Sequence, residues 1–409
     1  MNTDPFTQGD DQPVVVIGSG PAGLATAAEL TRRGVGAVVL EQGAGIGAAW
    51  AARYDGLRFN TSRLHSALPG APFERAWGQF PTRDQYVGYL AAYARSRHVR
   101  VRTHARVERL DRRGGTWRVT TPAGILTTRH VVVACGRFNV PVLPDWARRE
   151  RFGGRLMHAV DYRNAAPLAG QRVLVVGAGS TGMEIAHELV GVAGTVWLSV
   201  RTPPTILFRM MLGAPGDLPV PVMMHLPPAW VDRLLRPMQR RVVGNLAPYG
   251  LPEASAGPMT RLRDRGGIGV AVVDPPVVDS IRSGAIRVVP AVDSLEGEHA
   301  RLADGRRLRP DVVIAATGYR TGLEPLVGRF GVLDERGEPV ERTGRESAPG
   351  LRFVGYVARP GITGYAGRLA RRAASEIAAR ERASRRARRG STPPASPARS
   401  SRGPAASRE

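Results

Sequence analysis

Two clusters of glycine have the types and the spacing that bind phosphate groups. A G-x-G-x-x-G pattern occupies residues 18–23, and the same pattern recurs at 177–182. In such a pattern the first glycine permits a tight turn, the second lets the backbone approach a pyrophosphate, and the third lets the next helix lie close to the preceding strand. The N-terminus of that helix offers free N–H groups and a positive dipole end to the phosphates. The two clusters therefore predict two dinucleotide-binding sites.

The first glycine cluster stands between elements that suit it. Four consecutive β-branched residues, Val14 to Ile17, predict a strand buried on both faces. Helical spacing follows the glycines, and Ala37 to Leu40 predict a second strand. Glu41 closes that strand, where its carboxylate can accept hydrogen bonds from both ribose hydroxyls of an adenosine. In a chain with 49 glycines the pattern alone is weak, but strand, turn, helix, strand and acid occur here in order.

The second glycine cluster follows a strand predicted at Val173 to Val176 and precedes one at Thr195 to Val200, which ends at Arg201. An arginine in place of an acid removes repulsion of a 2′-phosphate and can bind it through two hydrogen bonds, which favours NADP over NAD. The alternative is that Arg201 only reflects the arginine-rich composition. Two complete units predict two nucleotides that exchange electrons, as in a two-nucleotide flavin reductase or oxygenase.

Composition excludes several other kinds of chemistry. The 409 residues carry 58 basic and 35 acidic side chains, a formal net charge of +23, and none of the basic residues is lysine. A Walker-type phosphate loop and a lysine Schiff base are therefore excluded. The single cysteine, Cys135, excludes an internal disulfide, a CxxC redox pair and a multi-cysteine zinc site, so we expect no metal centre. The length and a hydrophobic content of 43% predict two or three globular domains.

The positive charge does not predict a nucleic-acid partner. Residues 380–409 carry nine arginines and two glutamates among Ala, Ser, Pro and Gly, which predicts a disordered basic tail. The remaining charge is diffuse and lacks the basic stripe with interleaved aromatics that is typical of nucleic-acid readers. The chain contains no run of about 18 apolar residues that would span a membrane, and its acidic, polar N-terminus differs from a signal peptide. We therefore expect a cytoplasmic protein.

The segments between and after the glycine clusters predict connections and an insertion. A strand at Val131 to Ala134 ends in a Gly/Pro-rich exit towards the second unit, and DVVIAATGYRTG, from Asp311, predicts the return crossing. From Leu351 a last strand, a glycine turn and a closing helix follow. Residues 205–266 fit neither unit and form either a pliable, apolar substrate channel or lid, or the core of a small insertion. Their methionines include Met210, Met211, Met223, Met224 and Met238.

A longer motif precedes the second glycine cluster. FGGRLMHAVDY fits F-x-G-x-x-x-H-x-x-x-(F/Y) at Phe152, Gly154, His158 and Tyr162, which resembles the fingerprint of class B flavin-containing monooxygenases. Tyr162 and Arg163 stand where Baeyer–Villiger relatives usually carry Trp followed by Pro or Asp. The segments AARYDGLRFNTSR, FPT and VVDPPVVDSIRSGAIRVVP resemble the YUCCA-type indole-3-pyruvate monooxygenases and their bacterial relatives.

This resemblance covers about residues 14–379 and implies an α/β fold with two Rossmann-like dinucleotide-binding domains. The FAD-binding domain would be discontinuous, with the NADPH-binding domain inserted into it. The implied boundaries place the first segment of the FAD-binding domain at 1–150 and its second segment at 319–379. The NADPH-binding domain lies between them at 151–318, with an insertion at about 205–266, and the basic tail follows at 380–409.

The resemblance also implies the cofactors and the chemistry. FAD would bind the first unit and NADPH the second, and the reduced flavin would form a C4a-(hydro)peroxide with O₂, shielded by bound NADP⁺ until a substrate arrives. Asn60 is the implied catalytic residue beside the flavin and the nicotinamide ribose. The alternative is that Asn60 has a structural role only, as the asparagine of a turn that follows a strand. Trp50 would lie near the isoalloxazine or, alternatively, in the core. The implied cofactor-binding residues are Gly18, Gly20, Pro21, Ala22, Gly23, Glu41, Gln42, Trp50, Asn60, Val107, Gly177, Gly179, Ser180, Thr181, Gly182, Arg201, Thr317, Gly318 and Gly355.

The substrate class stays open between two chemistries. A nucleophilic peroxyflavin that attacks an α-keto acid, such as an indole-3-pyruvate-like compound, would give decarboxylation, whereas an electrophilic hydroperoxide would oxygenate a soft amine or sulfide. N-T-S-R at Asn60 resembles the N-x-S-K segment of members that oxygenate nitrogen and sulfur. The alternative functions are an FAD-dependent NADPH reductase or oxidase that passes electrons to a partner, and a Baeyer–Villiger monooxygenase. A monooxygenase would have a small-molecule substrate and O₂ as partners, with no specific nucleic acid and no membrane span.

Overall fold

The computed structural model describes residues 12–147 and 152–390. Helices pack on two large sheets with mostly parallel central strands, and smaller sheets of two or three strands accompany them. Short 3-10 helices occupy Arg75–Trp77, Ala166–Leu168, Ala247–Tyr249 and Gly328–Phe330. The α-helices are α1 Pro21–Thr31, α2 Ala48–Ala51, α3 Arg63–Ser66, α4 Arg83–Ser96, α5 Ser180–Glu188, α6 Val220–Met223, α7 Pro228–Val243, α8 Pro258–Arg265, α9 Pro275–Arg282, α10 Glu324–Val327 and α11 Ile362–Gly390.

The strands lie between these helices, singly or in runs. Those before the second glycine cluster are β1 Gln12–Ile17, β2 Ala37–Leu40, β3 Val101–Arg102, β4 Arg109–Arg113, β5 Thr116–Thr121, β6 Gly124–Val133, β7 Val140–Pro141, β8 Arg155–His158 and β9 Arg172–Val176. Those after it are β10 Thr195–Ser199, β11 Thr205–Phe208, β12 Met210–Met211, β13 Ala214–Pro215, β14 Val270–Val273, β15 Ile286–Val289, β16 Val292–Glu296, β17 His299–Leu302, β18 Arg307–Leu308, β19 Val312–Ala315, β20 Tyr319–Arg320, β21 Glu346–Ala348 and β22 Leu351–Phe353.

The first sheet carries the first glycine cluster at its centre. Its strand order is β21-β22-β6-β1-β2-β3, and the β4–β5 hairpin extends from β6. The pairs from β22 to β3 are parallel, and β21 runs antiparallel to β22. Because β1 lies between β2 and β6, its carboxyl end is a point where connections diverge to opposite sides, and α/β sheets bind ligands at such points. The predicted strand from Val14 to Ile17 is confirmed, and these residues are buried on both faces.

The second sheet repeats this plan around the second glycine cluster. Its strand order is β15-β10-β9-β19-β8, and every pair is parallel. The central strand β9 lies between β10 and β19, as β1 lies between β2 and β6. The return crossing supplies β19, while the motif segment supplies β8 at the edge. The prediction of an α/β fold with two Rossmann-like units is confirmed.

The insertion forms a small layer of its own beside the second sheet. Strand β11 pairs in parallel with β14, and α7 packs on α8 between them in sequence. The hairpin β12–β13 and the helix α6 precede α7. After β14 the helix α9 leads back to β15 and thus into the second sheet. The insertion therefore begins after the carboxyl end of β10, next to the second glycine turn.

The closing helix α11 extends beyond its predicted end. It reaches Gly390, so the prediction of a disordered tail is wrong for residues 380–390. Glu381 supplies the physical reason, because its side chain is buried and bonds to the guanidinium of Arg129, with its Oε1 2.9 Å from Nε. The start of this segment is thus anchored to β6, a strand that is far away in sequence. The rest of the predicted tail, residues 1–11 and the domain boundary predicted near residue 150 lie outside the described residues.

His158 joins the motif segment to the return crossing. Its Nδ1 accepts a hydrogen bond from the N–H of Val160, and its Nε2 donates to the carbonyl oxygen of Gly318, both at 3.1 Å. This arrangement needs the neutral tautomer with its hydrogen on Nε2. Burial lowers the pKa of His158. A second proton would point from Nδ1 at the N–H of Val160, so protonation breaks this contact.

The His158 contact predicts a pH-dependent stability. Because burial puts its folded-state pKa below the unfolded value of about 6.5, the unfolded chain binds the proton first and the free energy of unfolding falls as the pH drops below that value. Between about pH 7 and about pH 5.5 we expect the free energy of unfolding to fall less for His158→Gln than for the wild type. The difference cannot exceed about 1.3 kcal/mol, the limit that linkage sets for one proton over this range. Urea unfolding followed by tryptophan fluorescence measures this difference.

The control for this experiment is His299→Gln, because His299 is exposed on β17. Its pH dependence should match that of the wild type. If the free energy of unfolding depends on pH equally in His158→Gln and the wild type, the folded and unfolded states bind the proton of His158 equally, which contradicts this prediction.

Candidate functional site

One cavity of about 1420 Å³ opens at the carboxyl ends of both sheets. The glycine turns before α1 and α5 both line it, and its wall is completed by the insertion, the return crossing and the loop before α11. Sites for one drug-sized ligand usually measure about 300–1000 Å³. The cavity therefore exceeds the needs of one such ligand and connects the two predicted nucleotide sites.

The first glycine turn has no room for side chains where the backbone packs and free space where a ligand would lie. The φ angle of Gly18 is +102°, and a Cβ there would lie 2.8 Å from the carbonyl oxygen of Ala134. A Cβ on Gly23 would lie 1.9 Å from the carbonyl oxygen of Gly18, whereas one on Gly20 would meet nothing within 4 Å. Gly20 caps α1 without a side-chain hydrogen bond. The free N–H groups of the first helical turn and this open cradle fit a pyrophosphate.

The second glycine turn repeats the same contacts. Gly177 has a φ angle of +111°, and a Cβ there would lie 2.5 Å from the carbonyl oxygen of Ala316. A Cβ on Gly182 would lie 1.9 Å from the carbonyl oxygen of Gly177. The hydroxyl of Ser180, at the start of α5, accepts a hydrogen bond of 2.9 Å from the N–H of Val272 in the insertion. The turn fits a second pyrophosphate and is tied to the insertion.

Glu41 is held in one orientation at the end of β2. Its Oε2 accepts hydrogen bonds from the N–H and the hydroxyl of Ser19, at 2.9 and 2.6 Å. Its Oε1 accepts one from the N–H of Gly43 at 2.8 Å. Each carboxylate oxygen has lone pairs to spare for a further donor. The carboxylate is thus preoriented at the cavity wall, as binding of an adenosine ribose requires.

Three of the predicted cofactor residues lie away from the cavity wall. Gly23 and Gly177 lie behind the turns, in the contacts between helix and strand. Arg201 is exposed just beyond the end of β10. The predicted residues that line the cavity are Gly18, Gly20, Pro21, Ala22, Glu41, Gln42, Trp50, Asn60, Val107, Gly179, Ser180, Thr181, Gly182, Thr317, Gly318 and Gly355.

Trp50 lines the cavity and also belongs to an aromatic cluster. Its ring stacks on Phe59 with 5.2 Å between the centroids and meets Tyr86 edge-on at 4.7 Å. Phe59 and Tyr86 are buried. The two predictions made for Trp50, a cavity residue and a core aromatic, therefore describe one side chain at the edge of the core.

Arg209 is a buried arginine of the insertion that binds several segments at once. Its side chain is 4% exposed. Its Nε donates to the carbonyl oxygen of Phe59 at 2.9 Å and its Nη1 to Asp274 at 2.8 Å. Its Nη2 donates to Oδ1 of Asn60 at 3.0 Å and to a carboxylate oxygen of Glu184. With its amide oxygen occupied in this way, Asn60 keeps its NH₂ group for a ligand in the cavity.

Glu184 connects Arg209 to the first-sheet side of the cavity. The hydroxyl of Tyr54 donates to its other carboxylate oxygen. Burial raises the pKa of Glu184, although Arg209 opposes this shift. Burial and the neighbouring carboxylate raise the pKa of Tyr54 as well, so the phenol stays protonated as a donor. The carboxylate is therefore held between a phenol and a guanidinium that come from different segments.

Asp217 makes a second polar contact between the insertion and the first-sheet side. Its Oδ2 accepts hydrogen bonds from the N–H and the hydroxyl of Ser62, at 2.8 and 3.0 Å, and lies 2.9 Å from Nδ1 of His65. Its Oδ1 is buried and bonds to none of the described residues. Because Asp217 lines the cavity, this oxygen is an acceptor that a bound N–H group can satisfy.

The methionines of the insertion form part of the cavity wall. Met211, Met223 and Met238 line the cavity, and so does Met259, which the sequence interpretation did not include. Met210 is 40% exposed and does not line it. The insertion therefore forms an apolar, methionine-containing wall of the cavity in addition to having a core of its own.

Sequence reasoning missed the residues that join the insertion to the rest of the protein. Arg209 is one of 58 basic residues, and no local pattern marks it. Glu184 had a usable signal, because it lies one helical turn after Thr181 in the phosphate-binding helix and thus on the same side. In the described portion of the chain, no cluster of three or more His, Cys, Asp and Glu side chains has the geometry of a metal site. None of the described helices has the length and apolar character that crossing a membrane requires.

Comparison with known families and sequences gives a consistent result. The family described as pyridine nucleotide-disulphide oxidoreductase matches residues 15–206. The chain is 34% identical over 359 residues to the indole-3-pyruvate monooxygenase YUCCA1 of Oryza sativa subsp. japonica, which covers 84% of this chain and 86% of that protein. It is 32% identical over 365 residues to the probable indole-3-pyruvate monooxygenase YUCCA8 of Arabidopsis thaliana, with 86% and 85% covered.

Solved structures show the same similarity in three dimensions. A flavin-containing monooxygenase from Stenotrophomonas maltophilia superposes with a TM-score of 0.69 at 26% identity, over 91% of this chain and 99% of that chain. Cyclohexanone monooxygenase with bound ε-caprolactone superposes with a TM-score of 0.69 over 91% and 88%, but at 16% identity, which shows a shared fold only.

The buried contacts of Arg209 predict an asymmetric response to mutation. Arg209→Met leaves Glu184 buried without its cation, so we expect a loss of about 3–5 kcal/mol of unfolding free energy. Glu184→Gln should cost only about 1–2 kcal/mol, because Arg209 keeps Asp274 and the Phe59 carbonyl as partners. Urea unfolding of the variants without added nucleotides measures both losses.

Arg240→Gln is the matched control within the insertion. Arg240 pairs with Glu253, and the two side chains are 64% and 55% exposed, so the loss should stay below about 0.5 kcal/mol. Equal losses for Arg209→Met and Glu184→Gln would contradict the assigned role of Arg209.

Proposed function

The chain belongs to the YUCCA-type class B flavin-containing monooxygenases, and we propose that its substrate is an α-keto acid of the indole-3-pyruvate type. It is an oxidoreductase that uses FAD, NADPH and O₂ to oxygenate a small organic molecule. The observation that carries the substrate proposal is the similarity, along most of the chain, to relatives named for indole-3-pyruvate.

The proposed reaction is an oxidative decarboxylation. The bond between the keto carbon and the carboxylate breaks, one oxygen atom of O₂ enters the shortened acid, and CO₂ leaves. The second oxygen atom becomes water with two electrons and a proton from NADPH and a second proton from solvent. Bound FAD supplies the redox chemistry, because it takes a hydride from NADPH and then activates O₂.

We assign FAD to the first sheet and NADPH to the second, with the domain boundaries expected from the sequence. The glycine turn at 18–23 would hold the FAD pyrophosphate, and Glu41 would accept the ribose hydroxyls of its adenosine. The turn at 177–182 would hold NADPH. Arg201 supports this assignment, because it is exposed beyond β10 and forms no ion pair with a described residue, so its guanidinium is free for a 2′-phosphate.

Asn60 is the proposed catalytic residue because of the group that it offers to the cavity. Arg209 fixes its amide oxygen, which leaves the NH₂ group to donate a hydrogen bond to the flavin or to the nicotinamide end of NADP⁺. The apolar wall from Trp50 to the methionines of the insertion would exclude water from the same space once the ligands are bound. The protein thus contributes orientation, a placed donor and an apolar wall, while the cofactors carry the electrons.

A second substrate class stays a candidate because of one motif. N-T-S-R at Asn60 is similar to the segment of relatives that oxygenate nitrogen or sulfur. In either case the proposed partners are a small molecule and O₂, and the cytoplasm is the proposed location.

Product analysis with the FAD-loaded protein tests the proposal. With indole-3-pyruvate and NADPH we expect CO₂ and the shortened acid in equal amounts, and with a thioether we expect no sulfoxide. Asn60→Ala should release about five to ten times more H₂O₂ per NADPH oxidised, as the loss of one hydrogen bond of about 1–1.4 kcal/mol allows.

Asn245→Ala is the control, because Asn245 is exposed in the insertion and does not line the cavity. Its H₂O₂ yield should equal that of the wild type. A wild type that oxygenates the thioether but releases no CO₂ from α-keto acids would refute the proposed substrate, and unchanged coupling in Asn60→Ala would refute the role of Asn60.

A further inference from the structure

Arg359 lies in the loop between β22 and the closing helix α11, and it lines the cavity. Two close approaches of glycines place this loop beside other segments. A Cβ on Gly361 would lie 2.8 Å from the carbonyl oxygen of His65, and a Cβ on Gly266 would lie 3.5 Å from the Cβ of Ala358. Arg359 is therefore placed between the first-sheet side of the cavity and the insertion.

The guanidinium of Arg359 has donors that the protein does not use. Its Nε is inaccessible to solvent and bonds to none of the described residues. Within the described ranges, no carboxylate forms an ion pair with it either. A guanidinium has only N–H donors, so each of them needs an acceptor from water or from a partner. Unsatisfied buried donors of this kind indicate a partner that arrives with a ligand.

The ring of Tyr365 holds Arg359 in place. The guanidinium carbon lies 4.1 Å from the ring centroid, a distance that allows stacking of the two planar groups. The tyrosine is on the first turn of α11, so the helix positions the arginine. Arg368 lies on the same helix with its guanidinium 5.2 Å from the same ring, but it is exposed and does not line the cavity.

The other arginines of the cavity are engaged or exposed. Arg209 pairs with Glu184 and Asp274, as described above, and Arg137 pairs with Glu338 at 2.7 Å. Arg53 donates to the carbonyl oxygen of Phe138 at 2.9 Å. Arg58 and Arg106 are exposed at the wall. Arg359 is thus the half-buried cation of the described cavity wall that has no hydrogen-bond acceptor.

We propose that Arg359, stacked on Tyr365, binds the carboxylate of the substrate. This inference rests on the proposed function, since it takes the substrate to be an α-keto acid. A planar guanidinium presents two parallel N–H groups to a planar carboxylate, which fixes the orientation of the molecule as well as its charge. The keto carbon next to that carboxylate is then held at a set distance from the cavity wall.

The substrate carboxylate fits Arg359 better than the cofactor phosphates do. Each pyrophosphate already has a glycine turn with free N–H groups and a helix N-terminus. The carboxylate of an α-keto acid has no such turn, and burying it without a cation would cost far more than any hydrogen bond returns. The insertion adjoins Arg359 and supplies the apolar wall on which the remainder of an aromatic substrate can pack.

The experiment compares Arg359→Gln with Arg359→Lys and Arg368→Gln in the FAD-loaded protein. The probes are indole-3-pyruvate and its methyl ester, which lacks the charge. The Kd of each is measured from the change in flavin absorbance, and the KM for the acid from CO₂ release. We expect Arg359→Gln to raise the Kd and KM for the acid about 10- to 100-fold, as loss of a charge-assisted hydrogen bond allows, and to leave the Kd of the ester within about twofold.

The two controls separate the local contact from charge alone. Arg359→Lys keeps the positive charge but loses the two parallel N–H groups, so it should bind the acid more tightly than Arg359→Gln and less tightly than the wild type. Arg368→Gln removes one charge beside the same tyrosine and should leave both probes unaffected. FAD content should stay at the wild-type value in all three variants, and Arg368→Gln should also keep the wild-type rate of flavin reduction by NADPH without substrate.

Each other outcome overturns one specific claim. Equal weakening of acid and ester, equal effects in Arg359→Gln and Arg368→Gln, or loss of FAD from Arg359→Gln would each overturn the role of Arg359. A wild type that does not bind the acid would also overturn it. A wild type that binds the acid through Arg359 but releases no CO₂ would refute the proposed function and leave the carboxylate site in place.

Discussion

The architecture depends on glycines whose missing side chains let each helix lie against the strand before it. At both turns the carbonyl oxygen of the first glycine occupies the space that a Cβ on Gly23 or Gly182 would need. The residues that follow β6 and β19 are also close, because a Cβ on Gly18 or Gly177 would lie 2.8 or 2.5 Å from the carbonyl oxygen of Ala134 or Ala316. Because of these contacts α1 and α5 begin at the carboxyl ends of the two central strands, with their free N–H groups at one shared cavity. One repeated steric constraint thus builds both nucleotide sites and determines where they meet.

The insertion completes that cavity, and buried polar contacts hold it there. Arg209 carries the largest number of these contacts, because it connects the insertion with α5 through Glu184 and with the first-sheet side through Asn60. Asp217 adds a second connection at Ser62. Such buried polar contacts favour one arrangement of the wall, since any other leaves charged groups without these partners. The same arrangement accounts for Asn60 and Arg359. The amide oxygen of Asn60 accepts a hydrogen bond from Arg209, which fixes the amide. The buried Nε of Arg359 has no acceptor among the described residues.

Local patterns in the sequence were sufficient for the sheets but insufficient for the site. Glycine spacing and β-branched runs predict the central strands and the turns, because each depends on residues that are close in sequence. Arg209 bonds to residues that are up to about 150 positions away in sequence, and no period or spacing encodes such a contact. The same limit explains the error at 380–390, where composition predicts disorder but Glu381 finds its partner on β6. In both cases the deciding partner is distant in sequence.

The central claim is that one chain brings its two nucleotide sites to a single cavity. Anaerobic reduction of the FAD-loaded protein by excess NADPH, followed by stopped-flow absorbance, tests it most directly. If hydride passes between sites of the same chain, the flavin is reduced with a first-order rate constant that does not change when the protein is diluted about a hundredfold. A flavin that is not reduced, or a rate constant that falls in proportion to the protein concentration, would contradict the claim.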